Sequence, residues 1–320
     1  MTDLQNSKKI NTSLNVMKCV AVFAVIVIHT MVLYDHGKFD KMIISTSRFA
    51  VPFFFLISGF YSYYTSNEYA GVKYKNRIIR LLKLIIISGA LFFTYKFITT
   101  GSIFQAIPNL NISSIINIFI FNISPFTDPL WFLQALLYCY LIFYILNKYK
   151  FKISKLYLLI PILLAGCLLL GVGSHLLDLN IHKMYYRNFL FMGLPFFLMG
   201  YLIHDKQDKI DNISNKLLVL GIFSFILVTL FEPVITKAYC DLYLGSAILA
   251  ILIMIWCVKN PQKLNFKIMA WIGGSLYAQM YIIHILVIQI FKNQLHFGMF
   301  DPFIVFIFTL LLVSISALKR

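Results

Sequence analysis

Long apolar stretches alternate with short polar joins along the chain, and the apolar stretches set the architecture. Runs of about 17–25 apolar residues are long enough for a helix to cross a bilayer. They predict ten spans, near 16–34, 42–64, 79–98, 129–147, 156–174, 187–204, 216–235, 240–258, 271–291 and 301–318. The runs are rich in Leu, Ile and Phe and lack the strict alternation of barrel strands. Helices are then the elements that satisfy their own backbone groups in lipid. The pattern predicts an all-α, polytopic integral membrane protein with an N-terminal tail over 1–15 and one transmembrane domain over 16–320. The stretch "NISSIINIFIFNIS" (Asn111–Ser124) is too short and polar for a span and reads as an interfacial or re-entrant piece.

Composition agrees with this pattern. Of the 320 residues, 60% are hydrophobic and 12% charged, more apolar surface than a soluble domain of this size can cover. The opening "MTDLQNSKK" precedes a run too long for a signal-peptide core, so no cleaved leader is expected. Cys19, Cys139, Cys167, Cys240 and Cys257 are scattered through apolar runs, with neither metal-ligand spacing nor a disulfide framework.

The net charge of +16 would suggest nucleic acid in a soluble protein. With the N-terminus inside, however, nineteen of the 28 Lys and Arg residues fall in inner segments, six in outer ones and three within spans. Phe97–Pro129, an outer join, has neither Lys nor Arg. That is the positive-inside pattern. Both termini are expected in the cytoplasm, and no nucleic-acid partner is needed.

Ionisable residues inside the spans are the candidate chemistry, because such groups are costly in hydrocarbon. Lys18 and His29 are eleven residues apart, which is three turns plus about 20°, so they share a helix face about 16 Å apart. Lys18 alone is equally read as snorkelling to the inner interface, and a lone His29 as a packing histidine. Arg48 opens the second span in "TSRFAVPFFFLISGFY", with Pro52 and Gly59 allowing a kink and close packing. At the inner start of the third, "YKNRIIRLLK" places Arg77 and Arg80 on one face, flanked by Lys73, Lys75 and Lys83. Such a cluster suits an anionic ligand with several phosphates, although plain positive-inside anchoring would also produce it. Toward the outer side lie Asp128 and Trp131, the latter read as an interfacial anchor, with Arg187, Glu232 and His284. The division suggests an inner anion-binding mouth and an outer reactive or acceptor site, with Arg48, Arg187, Glu232 and His284 as candidates for substrate or oxyanion contacts.

In this order and topology the motifs resemble the acyltransferase-3 family of ten-helix membrane acyltransferases. The signature R-x10-H in helix one is met by Lys18 and His29, with lysine in place of arginine, and R-x-x-R at helix three by Arg77 and Arg80. "LWFLQALL" and "SLYAQMYIIH" are also in the family's style. The resemblance implies transfer of an acyl group, usually acetyl, from cytoplasmic acyl-CoA to a hydroxyl of an extracytoplasmic glycan or cell-wall polymer. It implies acetyl-CoA as donor without a metal, His29 and Lys18 as catalytic residues, and Arg77, Arg80, Lys73 and Lys75 as donor-binding residues. His29 would act as general base or carry the acyl group. The expected setting is a bacterial cell membrane, with membrane lipid around the spans and, in the absence of an added extracytoplasmic domain, a separate transfer protein as a possible partner. Two other readings compete: a small-molecule transporter, for instance of serine, and a non-catalytic subunit of polysaccharide assembly.

Overall fold

The computed structural model describes residues 10–31, 37–108, 111–179, 181–237, 239–292 and 298–318. Residues 1–9 of the expected tail and the terminal Lys319 and Arg320 lie outside the described residues. Twelve main helices follow in order: α1 (Thr12–Met31), α2 (Lys38–Ser47), α3 (Ala50–Phe60), α4 (Asn67–Thr100), α5 (Ile112–Phe121) and α6 (Trp131–Lys148). Then come α7 (Leu159–Leu168), α8 (Leu194–Asp205), α9 (Asn215–Thr236), α10 (Leu244–Lys259), α11 (Tyr277–Phe291) and α12 (Asp301–Leu318). No strand occurs among the described residues. Among the described residues, seven helical segments are long and apolar enough to cross a membrane, and they coincide with seven of the predicted spans. The other three predicted spans fall on shorter apolar helices, the segment Phe189–Asp205, α10 and α12. This is a multi-pass membrane protein. Helix α5 is only 10 residues long and buries no side chain, so it lies on the outside of the bundle.

Departures from the predicted spans have local causes. The second span is two helices, broken at Arg48 and Phe49. Pro52 has no N–H to give to the carbonyl of Arg48, four residues earlier. In α9, Pro233 likewise spares the carbonyl of Thr229, which instead accepts the Ser45 hydroxyl of α2 at 2.7 Å. Helix α4 starts twelve residues before the predicted span, at Asn67. Its N-cap Ser66 accepts from the backbone N–H of Tyr69, and it ends at Gly101 with φ +65°. Arg77 and Arg80 are therefore already about three to four turns inside a 34-residue helix. Helix α1 starts at Thr12, four residues before the predicted span.

Close helix contacts rest on glycine, as expected where lipid offers no hydrophobic drive between helices. A Cβ on Gly59 of α3 would stand 1.9 Å from the carbonyl oxygen of Phe197, and one on Gly200 of α8 would stand 2.0 Å from that of Leu56. The two contacts lock α3 against α8 from both sides. Gly273 plays the same part for α1, where a Cβ would meet the carbonyl of Asn15 at 1.9 Å. Gly273 belongs to a single π-helical turn, Ile272–Leu276, just before α11. Helix α1 is the hub. It touches α2, α3, α10, α11, α12 and the π turn, while α9 and the Ile153–Leu176 segment are only 17% buried and face outward.

Candidate active site

Two clusters of polar side chains lie at opposite ends of α1, and a cavity runs from the first of them as far as Tyr281, next to the second. At the Lys18 end a cavity of about 650 Å³ opens between α1, α3, α4, α6 and α11, lined by Lys18, Arg77, Arg80, Ser58, Tyr140, Gly274, Tyr277 and Tyr281, among others. The π turn puts Gly274 and Ser275 in its wall, a common placement for such turns at functional sites. The Lys18 ammonium donates to the Asn15 side-chain oxygen at 3.2 Å and lies 5.2 Å from the Tyr277 ring and 5.8 Å from that of Tyr61. Only 9% of Lys18 is exposed. It is held in the cavity wall rather than snorkelling to an interface.

The two arginines differ. One Arg77 amino group donates to the Tyr140 hydroxyl at 2.9 Å, to Ser62 Oγ at 3.2 Å and to the Ser58 carbonyl at 3.4 Å. Its other amino group donates to the Tyr61 carbonyl at 2.8 Å. Two of these acceptors are carbonyls at the C-terminal end of α3, where helical oxygens lack internal donors and a cation is favoured. Arg80 lines the same cavity, is exposed, and has no hydrogen-bond partner among the described residues. Arg77 thus clamps α3 to α4, and Arg80 with Lys18 presents positive charge to the cavity. Lys73 lies over the Tyr69 ring at 4.8 Å and Lys75 is exposed; neither lines the cavity.

At the far end of α1, His29 stands with its ring centre 5.6 Å from that of His284 on α11. His29 is within electrostatic reach of Arg48, Arg187 and Asp128 as well. Arg48 pairs with Asp241 at 3.0 Å, and only 10% and 15% of the two side chains are exposed. Asp241 also lies 3.8 Å from Nε of Arg187, which pairs with Asp128, and Asp128 accepts from Lys183 at 2.9 Å. Each arginine is backed by an aromatic ring: Arg48 by Tyr239 at 5.1 Å, Arg187 by Trp131 at 5.4 Å. Trp131 is 6% exposed and serves as this buried backing instead of an interfacial anchor. Burial pushes the Tyr239 phenol up, against the opposing pull of Arg48, so it stays neutral. The Nε–H groups of Arg48 and Arg187 are buried without an acceptor. An unsatisfied buried donor costs about 1–3 kcal/mol; here two such donors stand near a histidine pair, where an oxyanion would use them.

One ring separates the two clusters. Tyr281 forms part of the cavity wall and also meets His284 edge-on at 5.8 Å, with its hydroxyl fixed to the Pro129 carbonyl at 2.6 Å. Of the expected outer residues, His29, Arg48, Arg187 and His284 come together. Glu232 does not join them. Its carboxylate accepts the backbone N–H groups of Gly245 at 2.9 Å and of Leu244, which caps the start of α10. Sequence reasoning missed Asp241, which holds both arginines. Its signal is slight: a single acid at the edge of the predicted span 240–258, in "KAYCDLY".

A family model for an acyltransferase domain matches residues 11–318. No curated protein and no solved structure shows significant similarity to the chain. The match spans the helix with Lys18 and His29, the arginine pair and the whole bundle around them, and the chain belongs to the acyltransferase-3 family.

Proposed function

We propose that this membrane acyltransferase takes an acetyl group from cytoplasmic acetyl-CoA and transfers it to a hydroxyl of an extracytoplasmic glycan or cell-wall polymer in a bacterial cell membrane. The observation that carries the reading is the cavity lined by Arg80 and Lys18 that reaches Tyr281, one ring from the His29–His284 pair. Coenzyme A fits its chemistry. The phosphates go to the Arg80 and Lys18 end, and the extended pantetheine arm runs between Tyr277 and the faces of α3 and α6 toward the histidines. The positive-inside distribution of Lys and Arg supports a cytoplasmic arginine end.

A bare imidazole nitrogen of His29 takes the proton of the acceptor hydroxyl as its oxygen bonds to the thioester carbonyl carbon. The carbonyl oxygen gains negative charge and is met by the Nε–H of Arg48 or Arg187. The intermediate collapses, the carbon–sulfur bond breaks, and the proton on His29 passes to the departing thiolate. No charge is left over at the end. The ion-pair lattice keeps both arginines oriented with their charge largely balanced, which suits a neutral hydroxyl acceptor.

Proteoliposomes loaded with soluble glycan fragments test the transfer. Acetyl-labelled coenzyme A is added outside, and label on lumenal glycan is measured for the molecules inserted with the arginine end outward. The reading expects lumenal label that depends on this orientation. Label confined to the donor side would overturn trans-membrane transfer, and uptake of an unmodified small solute would favour the transporter.

A further inference from the structure

The π turn and α11 line the arginine-lined cavity from Gly274 as far as Tyr281. His284 comes three residues later, about 4.5 Å further along the same helix, and neither it nor His29 lines that cavity. His29 is nevertheless partly exposed, so its open side faces away from the cavity. The two halves of the proposed transfer thus occupy separate compartments, and Tyr281 borders both. It lines the cavity and meets His284 edge-on, with ring centres 5.8 Å apart. The ring is held on two further sides. Phe132 of α6 packs against it at 5.2 Å between centres, and its hydroxyl donates to the Pro129 carbonyl at 2.6 Å. Pro129 belongs to the short turn Asp128–Leu130 that opens α6, and Asp128 of that turn pairs with Arg187 and Lys183. Only 4% of Tyr281 is exposed. Its aromatic body alone would fill this place; the hydroxyl adds one directional bond that fixes how the ring is turned.

We infer that Tyr281 is the specificity-determining ring of the transfer: latched to Pro129 it closes the cavity off from the histidine pair, and on turning aside it passes only a short acyl group. This rests on the proposed transfer from a donor in that cavity to an acceptor at His29. A thioester lying among Phe54, Phe132 and Leu133 of the cavity wall meets His29 only once the ring has moved. The bulk of the ring stops an acyl tail longer than acetyl. While latched, the ring also keeps water on the His29 side away from the thioester, as closing elements of active sites do.

Two substitutions separate the latch from the ring. Tyr281→Phe removes the hydroxyl and keeps the ring, while Tyr281→Ala removes both. Without an acceptor, water takes the acetyl group as acetate and free coenzyme A is released. This cleavage should rise about fivefold in Tyr281→Phe, the population shift expected from one ordinary hydrogen bond. In Tyr281→Ala the preference for acetyl- over butyryl-CoA, read as a ratio of kcat/KM, should shrink at least about tenfold, the usual worth of a methylene in an apolar pocket. Access is read without turnover. His284→Cys places a thiol beyond the ring, and the five native cysteines are buried and add no background. An anionic, impermeant methanethiosulfonate is added to proteoliposomes with the arginine end outward. It should modify the introduced thiol slowly with Tyr281 in place, about fivefold faster with Tyr281→Phe, and faster still with Tyr281→Ala. Equal rates in all three backgrounds, or an unchanged acyl preference in Tyr281→Ala, would overturn the inference. Should Tyr281→Ala lose its fold on melting, Tyr281→Phe alone decides. If the wild type leaves acetyl-CoA uncleaved, the donor assignment fails, and the modification rates still decide whether Tyr281 closes the cavity.

Discussion

Replacing Arg80 and Arg77 separately by alanine should produce two different defects, although the motif presents them as a pair. Arg80 is exposed at the cavity and hydrogen-bonds to no protein group among the described residues. Its loss removes one charge-assisted contact to a phosphate, about 1.5–3 kcal/mol when dry and less in a wet mouth. At about 1.4 kcal/mol per tenfold, binding of acetyl-CoA should weaken roughly 5- to 30-fold with the fold intact. Arg77 instead joins α4 to the end of α3 and to α6 through Tyr61, Ser62 and Tyr140, at 2.8, 3.2 and 2.9 Å. Losing two strong charged hydrogen bonds from a largely buried site costs about 3–5 kcal/mol of stability. Calorimetric binding of acetyl-CoA and intrinsic-fluorescence melting in detergent separate the two. Arg80→Ala should melt like wild type, and Arg77→Ala should melt well below it. Equal binding losses with unchanged melting in both variants would refute the distinction.

Further outcomes follow from the packing. Glu232→Gln keeps an oxygen for the backbone of Leu244 and Gly245 and should leave turnover within about twofold. Glu232→Ala should lower the melting temperature by the loss of a helix cap, about 1 kcal/mol. Gly59→Ala should destabilise strongly, since the new Cβ would sit 1.9 Å from the Phe197 carbonyl and α3 would have to move by about 1 Å from α8 in a close-packed interior; thermal melting reads this directly. All five cysteines are free and at most 3% exposed, so N-ethylmaleimide should modify none in the folded protein and all five in denaturant, counted by intact mass.

Much of the site was legible because charge inside apolar runs is conspicuous. Lys18, His29, Arg48 and His284 stand out against Val, Ile and Phe neighbours, and the arginine pair shares a helix face by spacing alone. Asp241 did not stand out, because an acid at the very edge of a predicted span reads as ordinary end polarity until the partner arginines are seen folded over it. Nor does spacing reveal that Arg77 is consumed by the end of α3 while Arg80 faces the cavity, since that depends on where Tyr140 and Tyr61 arrive from other helices. The break at Arg48 has its cause written four residues ahead in Pro52. The π turn at Ile272–Leu276 is less visible: "GG" signals close approach, here to Asn15, but not the extra residue in the turn.

The central claim is that His29 acts on a thioester bound in the arginine-lined cavity. Its most direct measurement is acetyl-CoA binding together with thioester cleavage by purified wild type and His29→Ala. The account predicts that both proteins bind acetyl-CoA with similar affinity and that His29→Ala loses cleavage by at least about 100-fold, the usual contribution of a general base. Wild-type cleavage by His29→Ala, or no binding of acetyl-CoA by the wild type, would contradict it.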